Sequence, residues 1–143
     1  MKLGKESRYA IEGLVVLAQQ PFGTTMQLRD IAAAAEVPAN FLAKIFQKLG
    51  RANILTSSRG AVRGYALARR PNAINVKDVF DAVEGGDVFD RCVFWSDRCA
   101  DFSPCPMHAE WKQVRQAIAK RMQGITLAGV ARNNSAKRMR SMR

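Results

Sequence analysis

Apolar residues in the first third of the chain recur at the spacing of an α-helix. Between Glu6 and Gln20 they share one helical face, and Pro21 and Gly23 end the pattern. Two shorter helical patterns follow, over about 27–35 and 38–52. Pro38 separates them, because proline disfavours a helix before it and begins one well. Two helices joined by so short a break predict a helix-turn-helix.

Two short runs typical of β-strands come next, at 54–56 and 64–67. They enclose the polar, glycine-bearing sequence SSRGAVRG, which predicts a hairpin with a long turn. A hairpin directly after a helix-turn-helix is the arrangement of a winged helix. We therefore predict a mainly α-helical fold, with a winged helix-turn-helix domain, a small β-hairpin wing and a long C-terminal dimerisation helix.

The second half of the chain is predicted to serve assembly. A short helix over 76–84 ends at two glycines, and helical spacing returns over about 109–130, with Gly124 as a candidate break. We expect this helix to pack against a second copy of itself, because little chain remains to cover its apolar stripe. The predicted domains are a winged-helix domain over 1–86, a cysteine-rich loop over 87–108, the dimerisation helix over 109–130 and a basic, disordered tail over 131–143.

The net charge of the chain limits the classes of partner that it is expected to bind. Twenty-three lysine and arginine residues stand against 12 acidic ones, which gives a formal net charge of +11. An excess of this size favours nucleic acid or an anionic membrane over a merely solvated basic surface. No apolar run is long enough to cross a membrane, and no signal-peptide pattern is present. We therefore expect a cytoplasmic protein that binds double-stranded DNA.

Contacts with DNA are predicted on two elements. The second helix of a helix-turn-helix enters the major groove with the face opposite its core residues, where asparagine and glutamine can bind adenine edges. Arginine on a glycine-flanked hairpin tip suits a narrow minor groove or the phosphates beside it. The predicted contacts are Asn40, Phe41 (which the spacing also places on the apolar face), Lys44, Gln47 and Lys48 on the helix, with Arg59 and Arg63 on the wing.

All three cysteines and the only histidine of the chain lie close together in the polar loop. Six residues separate Cys92 from Cys99, five separate Cys99 from Cys105, and two separate Cys105 from His108. An odd number of cysteines cannot all pair as disulfides, so a reduced, cytoplasmic setting fits better. The loop is therefore a candidate site for chemistry that uses thiols and imidazole.

Four kinds of site use such residues. A structural zinc site usually includes a close Cys-x-x-Cys pair, which is absent. A thiol switch needs two cysteines and leaves the third cysteine and the histidine idle. A nucleophilic Cys–His enzyme needs a pocket and an orienting group, to which no feature points, so we expect no enzyme. An iron–sulfur cluster uses widely spaced thiolates on an irregular loop, and histidine can replace one of them. The spacing favours the cluster and leaves zinc and the thiol switch open.

The chain resembles the Rrf-two family of bacterial transcription regulators over roughly residues 1–130. The resemblance is carried by the opening MKLGKESRYA, the block IAAAAEVPANFLAKIFQKLGRANIL, the wing SSRGAVRGYALAR and the sequence CPMHAEW after two earlier cysteines. It implies a homodimer that places two recognition helices over a pseudo-palindromic operator. It also implies that an iron–sulfur cluster governs which DNA is bound and reports iron–sulfur, redox or nitric oxide status.

The same resemblance assigns the cluster ligands. Cys92, Cys99 and Cys105 match the three cysteines of the family, and His108 matches the fourth ligand of IscR-like members. NsrR-like members instead use an acidic residue near position 8 of the first helix, where this chain has Arg8. The resemblance therefore implies a [2Fe-2S] cluster, with [4Fe-4S] as the alternative. Three departures stand out: the first cysteine gap is one residue longer than in IscR-like members, the recognition helix carries Ala43 and Lys44, and the wing lacks the usual glycine run. We expect the longer gap to alter the cluster geometry, the recognition helix to select a different operator, and the wing to make different groove contacts.

Overall fold

A computed structural model gives the fold and describes residues 3–61, 63–92, 94, 101–102 and 104–141. Within these ranges the chain forms six α-helices and one hairpin. Their order is α1 (Lys5–Ala18), α2 (Leu28–Ala35), α3 (Ala39–Arg51), β1 (Leu55–Ser58), β2 (Gly64–Leu67), α4 (Val76–Glu84), α5 (His108–Gln123) and α6 (Leu127–Ser141), with one-turn 3-10 helices at Pro71–Ala73 and Val88–Asp90. The predicted mainly α-helical fold with a hairpin wing is confirmed.

The predicted helix-turn-helix corresponds to α2 and α3. Glu36 follows α2 in the left-handed backbone region, with φ of 58°, and Pro38 is the N-cap of α3. The N–H of Val37 donates to the carbonyl oxygen of Ala32 at 3.0 Å, which closes the turn. Both helices begin and end close to the predicted residues because the turn signals are local in the sequence.

The wing lies directly against the segment that precedes α2. β1 and β2 pair antiparallel, from Leu55 opposite Leu67 to Ser58 opposite Gly64. Met26 and Tyr65 exchange two backbone hydrogen bonds, of 2.8 and 3.0 Å. A Cβ atom on Gly64, whose φ is +154°, would lie 2.2 Å from the carbonyl oxygen of Met26. Only glycine therefore permits this close approach of the wing to the helix-turn-helix.

The hydrophobic core lies between the winged-helix elements and α6. Its members include the fully buried Leu14, Leu42 and Phe46, and the ring of Phe46 meets Tyr65 edge-on, with centroids 5.1 Å apart. Among the described residues, α5 contributes none to this core, and its one buried side chain is Arg115. No helix in the described ranges is long and apolar enough to cross a membrane.

The C-terminal part differs from the prediction in two ways. The helix expected over 109–130 is interrupted after Gln123, where the N–H of Val76 binds the carbonyl oxygen of Ile125 at 2.8 Å. The disorder predicted for the tail is wrong for 131–141, which belongs to α6. The tail has few apolar residues, but Leu127 and Ala131 anchor it in the core against α1. Its last two residues lie outside the described ranges.

Candidate DNA interface and metal centre

Three of the predicted DNA contacts lie on the face of α3 directly opposite its core residues. Asn40, Lys44 and Gln47 are exposed and lie opposite the buried residues of the helix, which are Leu42, Ile45, Phe46 and Leu49. Arg51 is also exposed, one helical turn beyond Gln47, and the sequence reading omitted it. Counting four residues on from Gln47 would have found it, since residues four apart share a helix face.

A groove of about 650 Å³ separates the start of α2, the recognition helix α3 and the wing. It is lined by Gln27, Leu28, Arg29, Ala39, Gln47, Ser57, Ser58, Arg59, Arg63, Gly64 and Tyr65. Three of these residues are arginines, and none of the described lining residues is acidic. The N-terminus of α2 also borders the groove, through Gln27 and Leu28, and no side chain caps it, although Asp30 stands in its first turn. The groove therefore has the charge and donors to bind a nucleic acid backbone, and Arg29 joins the predicted arginines there.

Lys48 and Phe41, two of the predicted DNA contacts, have surroundings that the sequence did not indicate. The ammonium of Lys48 donates to Glu6 Oε2 at 2.8 Å and to the carbonyl oxygen of Val83 at 3.3 Å, so it points towards α1 and α4 instead of the groove. The ring of Phe41 is 52% exposed, so its assignment to the apolar face of α3 is wrong. Helical spacing does not record which other elements approach a side chain, so it could not indicate that Lys48 bonds to α1 and α4 or that the ring of Phe41 stays uncovered.

Two of the predicted metal ligands lie together. The Sγ atoms of Cys92 and Cys105 are 3.7 Å apart, and Cys92 is 7% exposed. Two thiolates bound to one tetrahedral metal, with bonds of about 2.3 Å, lie about 3.8 Å apart, whereas a disulfide requires about 2.05 Å. Cys99 lies outside the described residues. Within the described residues, no three candidate ligands form a group.

His108 begins α5 and is held by a carboxylate. Its Nε2 lies 2.7 Å from Asp101 Oδ1, and its backbone N–H donates to the carbonyl oxygen of Cys105 at 3.0 Å. Lys112 donates to both oxygens of Asp101, at 2.9 and 3.0 Å. The hydrogen bond with His108, followed by the contact with Lys112, lowers the pKa of the Asp101 carboxyl. Metal-bound histidines commonly donate their other ring N–H to a carboxylate, so a metal bound here would use Nδ1.

Side chains of helix α5 hydrogen-bond to the segment that leads to Cys92. Arg115 is 8% exposed and its Nη1 donates to the carbonyl oxygen of Phe89 and to Asp90 Oδ1, both at 3.1 Å. One turn earlier, Trp111 Nε1 lies 3.4 Å from the carbonyl oxygen of Arg91. The sequence reading missed the role of Arg115. Its spacing of four from Trp111 puts both on one face of α5, but no local signal indicates which segment that face meets.

Comparisons with known proteins agree with this architecture. A family model described as Rrf2, iron-dependent transcriptional regulator, matches residues 3–133. The structure of T. potens IscR is 27% identical, with a TM-score of 0.73, over 94% of this chain and 88% of that one. CymR, the global cysteine regulator of B. subtilis, shares the fold with a TM-score of 0.73 at 24% identity, over 93% of this chain and 98% of that one. Because the family match spans nearly all of its folded elements, the chain belongs to the Rrf2 family of DNA-binding transcriptional regulators.

Proposed function

We propose that this regulator is a homodimer whose operator affinity is controlled by an iron–sulfur cluster bound by Cys92, Cys99, Cys105 and His108. The observation that carries the proposal is the pair of cysteine sulfurs 3.7 Å apart at the base of α5. This spacing fits two thiolates on one iron, and the matching family model is described as iron-dependent. His108, oriented by Asp101, supplies the imidazole that favours a [2Fe-2S] cluster over [4Fe-4S].

Each residue has a distinct part in the proposed site. The bound cluster supplies a charge and oxidation state that respond to redox conditions, nitric oxide or iron–sulfur supply. Cys92 offers a thiolate shielded from water, and Cys105 offers one at the edge of the site. Asp101 fixes the orientation of the His108 ring, as carboxylates do beside many metal-bound histidines. The cluster state would then alter the loop between the winged helix and α5.

On the DNA side, the recognition helix and the wing have separate tasks. Asn40, Phe41, Lys44 and Gln47 are exposed on α3 and can meet base edges in the major groove. Arg59 and Arg63, joined by Arg29, line the basic groove and suit phosphates or the minor groove. Lys48 is left out of this set because its ammonium is already bonded within the protein.

The exposure of α5 supports the proposed homodimer. Of its 16 residues, only Arg115 is buried, and Val114 is 49% exposed. On the same stripe as Val114, Ile118 and Met122 are only partly covered by the described part of the chain. A second copy of α5 would bury this stripe and place two recognition helices over a two-fold operator.

The cluster is tested by anaerobic purification with visible absorbance, iron and acid-labile sulfide analysis. We expect iron and sulfide in equal amounts, and their loss in Cys105→Ala. The 3.7 Å sulfur pair also suits a second candidate function, a cluster-free regulator whose loop holds zinc or acts as a thiol switch. Zinc without sulfide, or a metal-free protein with a reversible Cys92–Cys105 disulfide, would replace the cluster with that alternative.

The DNA surface is tested by replacing one arginine of the groove. Arg59→Ala should weaken operator binding by about 1–3 kcal/mol, measured by fluorescence anisotropy at fixed salt. Arg140→Ala is the matched control, because Arg140 is exposed on α6, outside the groove, and the change in charge is the same. Equal operator affinity of the two variants would remove the wing from the proposed interface.

A further inference from the structure

Polar contacts near the C-terminal end of α3 join three helices of the winged-helix domain, α1, α3 and α4. We call this place the corner. Lys48 in α3 donates to Glu6 of α1 at 2.8 Å and to the carbonyl oxygen of Val83 in α4 at 3.3 Å. The carboxylate of Glu84 accepts from the N–H of Gly4 at 2.8 Å and from the hydroxyl of Ser7 at 2.7 Å. The recognition helix is therefore bonded to the carboxyl end of α4 and the amino end of α1.

The charges at this corner match the helix ends that they meet. Val83 lies in the last turn of α4, where carbonyls have no partner within the helix and the helix dipole is negative, so an ammonium is favoured. Glu84 meets the positive amino end of α1, and the Ser7 that it binds is only 2% exposed. The side chains of Lys48 and Glu84 thus have their hydrogen-bond partners within the chain itself.

The segment that carries the first cysteine leaves from the same corner. We name residues 85–92 the strap. It turns at Gly85, whose φ of +101° is a conformation that favours glycine, and it buries Val88 and Phe89 before it reaches Cys92. Arg115 fixes its far end to α5. The strap therefore connects Cys92 to the end of α4 through a short segment whose middle is buried and whose far end is bonded to α5.

We infer that Lys48 is a positioning residue that couples the strap to the recognition helix, and that it is not a DNA contact. When the site around Cys92 changes state, the strap shifts the end of α4, and Lys48 passes the shift to α3. This inference rests on the proposed function, because it requires a cluster whose state alters DNA binding. The Lys48–Glu6 pair is partly exposed, so its loss should cost little folding stability.

The test compares Lys48→Met with Lys44→Met. Both changes remove one ammonium from α3, but Lys44 is exposed on the recognition face and makes no hydrogen bond or ion pair in the described part of the chain. Operator affinity is measured as a function of salt for the cluster-loaded and the cluster-free full-length dimer. The first readout is the salt slope, which is the slope of log affinity against log salt concentration. The second is the ratio of the cluster-loaded and cluster-free affinities.

For Lys48→Met we expect an unchanged salt slope and an affinity ratio reduced about threefold to fivefold. For Lys44→Met we expect a slope lower by about one unit, as for a lost phosphate contact, with the ratio kept. Glu6→Gln is a second variant that keeps the lysine, and it should reduce the ratio in the same direction as Lys48→Met.

A lower salt slope with an unchanged ratio in Lys48→Met would make Lys48 a phosphate contact and overturn the inference alone. An unchanged ratio in both Lys48→Met and Glu6→Gln, with the wild type still responding to its cluster, would also overturn it and leave the proposed function standing. If the cluster-loaded and cluster-free wild-type proteins bound the operator equally, the proposed function would be rejected together with the coupling.

Discussion

The winged-helix region and the cysteine-bearing region of this protein are held by different forces. The first, with α6 packed against it, buries Leu14, Leu42 and Phe46 completely in a continuous hydrophobic core. In its described part the second, from the strap through α5, contributes no residue to that core and is attached by the buried Val88 and Phe89 together with polar anchors such as Arg115. Burial of apolar surface contributes about 25 cal/mol per Å², so the larger core gives the first region more hydrophobic stabilisation than the second. Under the proposed function, the second region is the one that responds to the cluster and to a second subunit.

The largest expected effect is a loss of stability confined to the first region. Leu14→Ala removes a fully buried side chain and should lower the free energy of unfolding by about 2–5 kcal/mol. Val114→Ala, on the exposed face of α5, should change it by less than about 0.5 kcal/mol in the dissociated chain but weaken dimerisation. Urea unfolding and sedimentation over a range of protein concentrations measure both. Equal destabilisation by the two changes would contradict the division of the molecule.

A second prediction concerns the wing, which joins the first region by one close backbone approach. Gly64→Ala places a Cβ atom 2.2 Å from the carbonyl oxygen of Met26, so the backbone must move, and we expect a loss of about 2–4 kcal/mol together with weaker operator binding. Gly60→Ala is the control, because its Cβ would meet only the Ser58 hydroxyl, at 4.0 Å. Thermal unfolding and anisotropy titration report the two effects. If Gly64→Ala bound DNA like Gly60→Ala, the wing would not need this position.

A third and smaller effect should be local to the second region. Arg115→Met leaves the carbonyl oxygen of Phe89 without its donor, at a cost of about 1–3 kcal/mol in the stability of the strap. Hydrogen exchange of the amides of Val88 to Arg91 should then accelerate, while exchange in α1 to α3 stays as in the wild type. Faster exchange throughout the protein would show that Arg115 supports the whole fold instead of the strap.

The difference between the regions also explains what the sequence could predict. The helix-turn-helix was predicted to within one or two residues because Pro38 and the apolar spacing of α3 are local signals. The tail was misjudged because composition does not record that Leu127 and Ala131 dock on α1. The spacing of the cysteines favoured a cluster without excluding zinc or a thiol switch, and the ligand set was implied by the family resemblance. The 3.7 Å approach of two of its sulfurs fits that set.

Polar contacts between distant segments carry no periodic pattern, so the sequence could not predict them. Lys48 lies on the side of α3 that helical spacing assigns to solvent, yet α1 and α4 approach that side. Arg115 lies 26 positions from Phe89 in the sequence, and no local pattern near either residue indicates their hydrogen bond. The residues that join the cysteine site to the recognition helix are therefore visible only in the folded chain.

The most direct test of the proposed cluster control is the operator affinity of one dimer preparation before and after removal of its cluster under anaerobic conditions. We predict a change of about 5–150-fold, the usual range for coupling between two sites. Cys105→Ala should bind DNA like the cluster-free wild type in both measurements. Identical affinities of the loaded and cluster-free dimers would contradict the account.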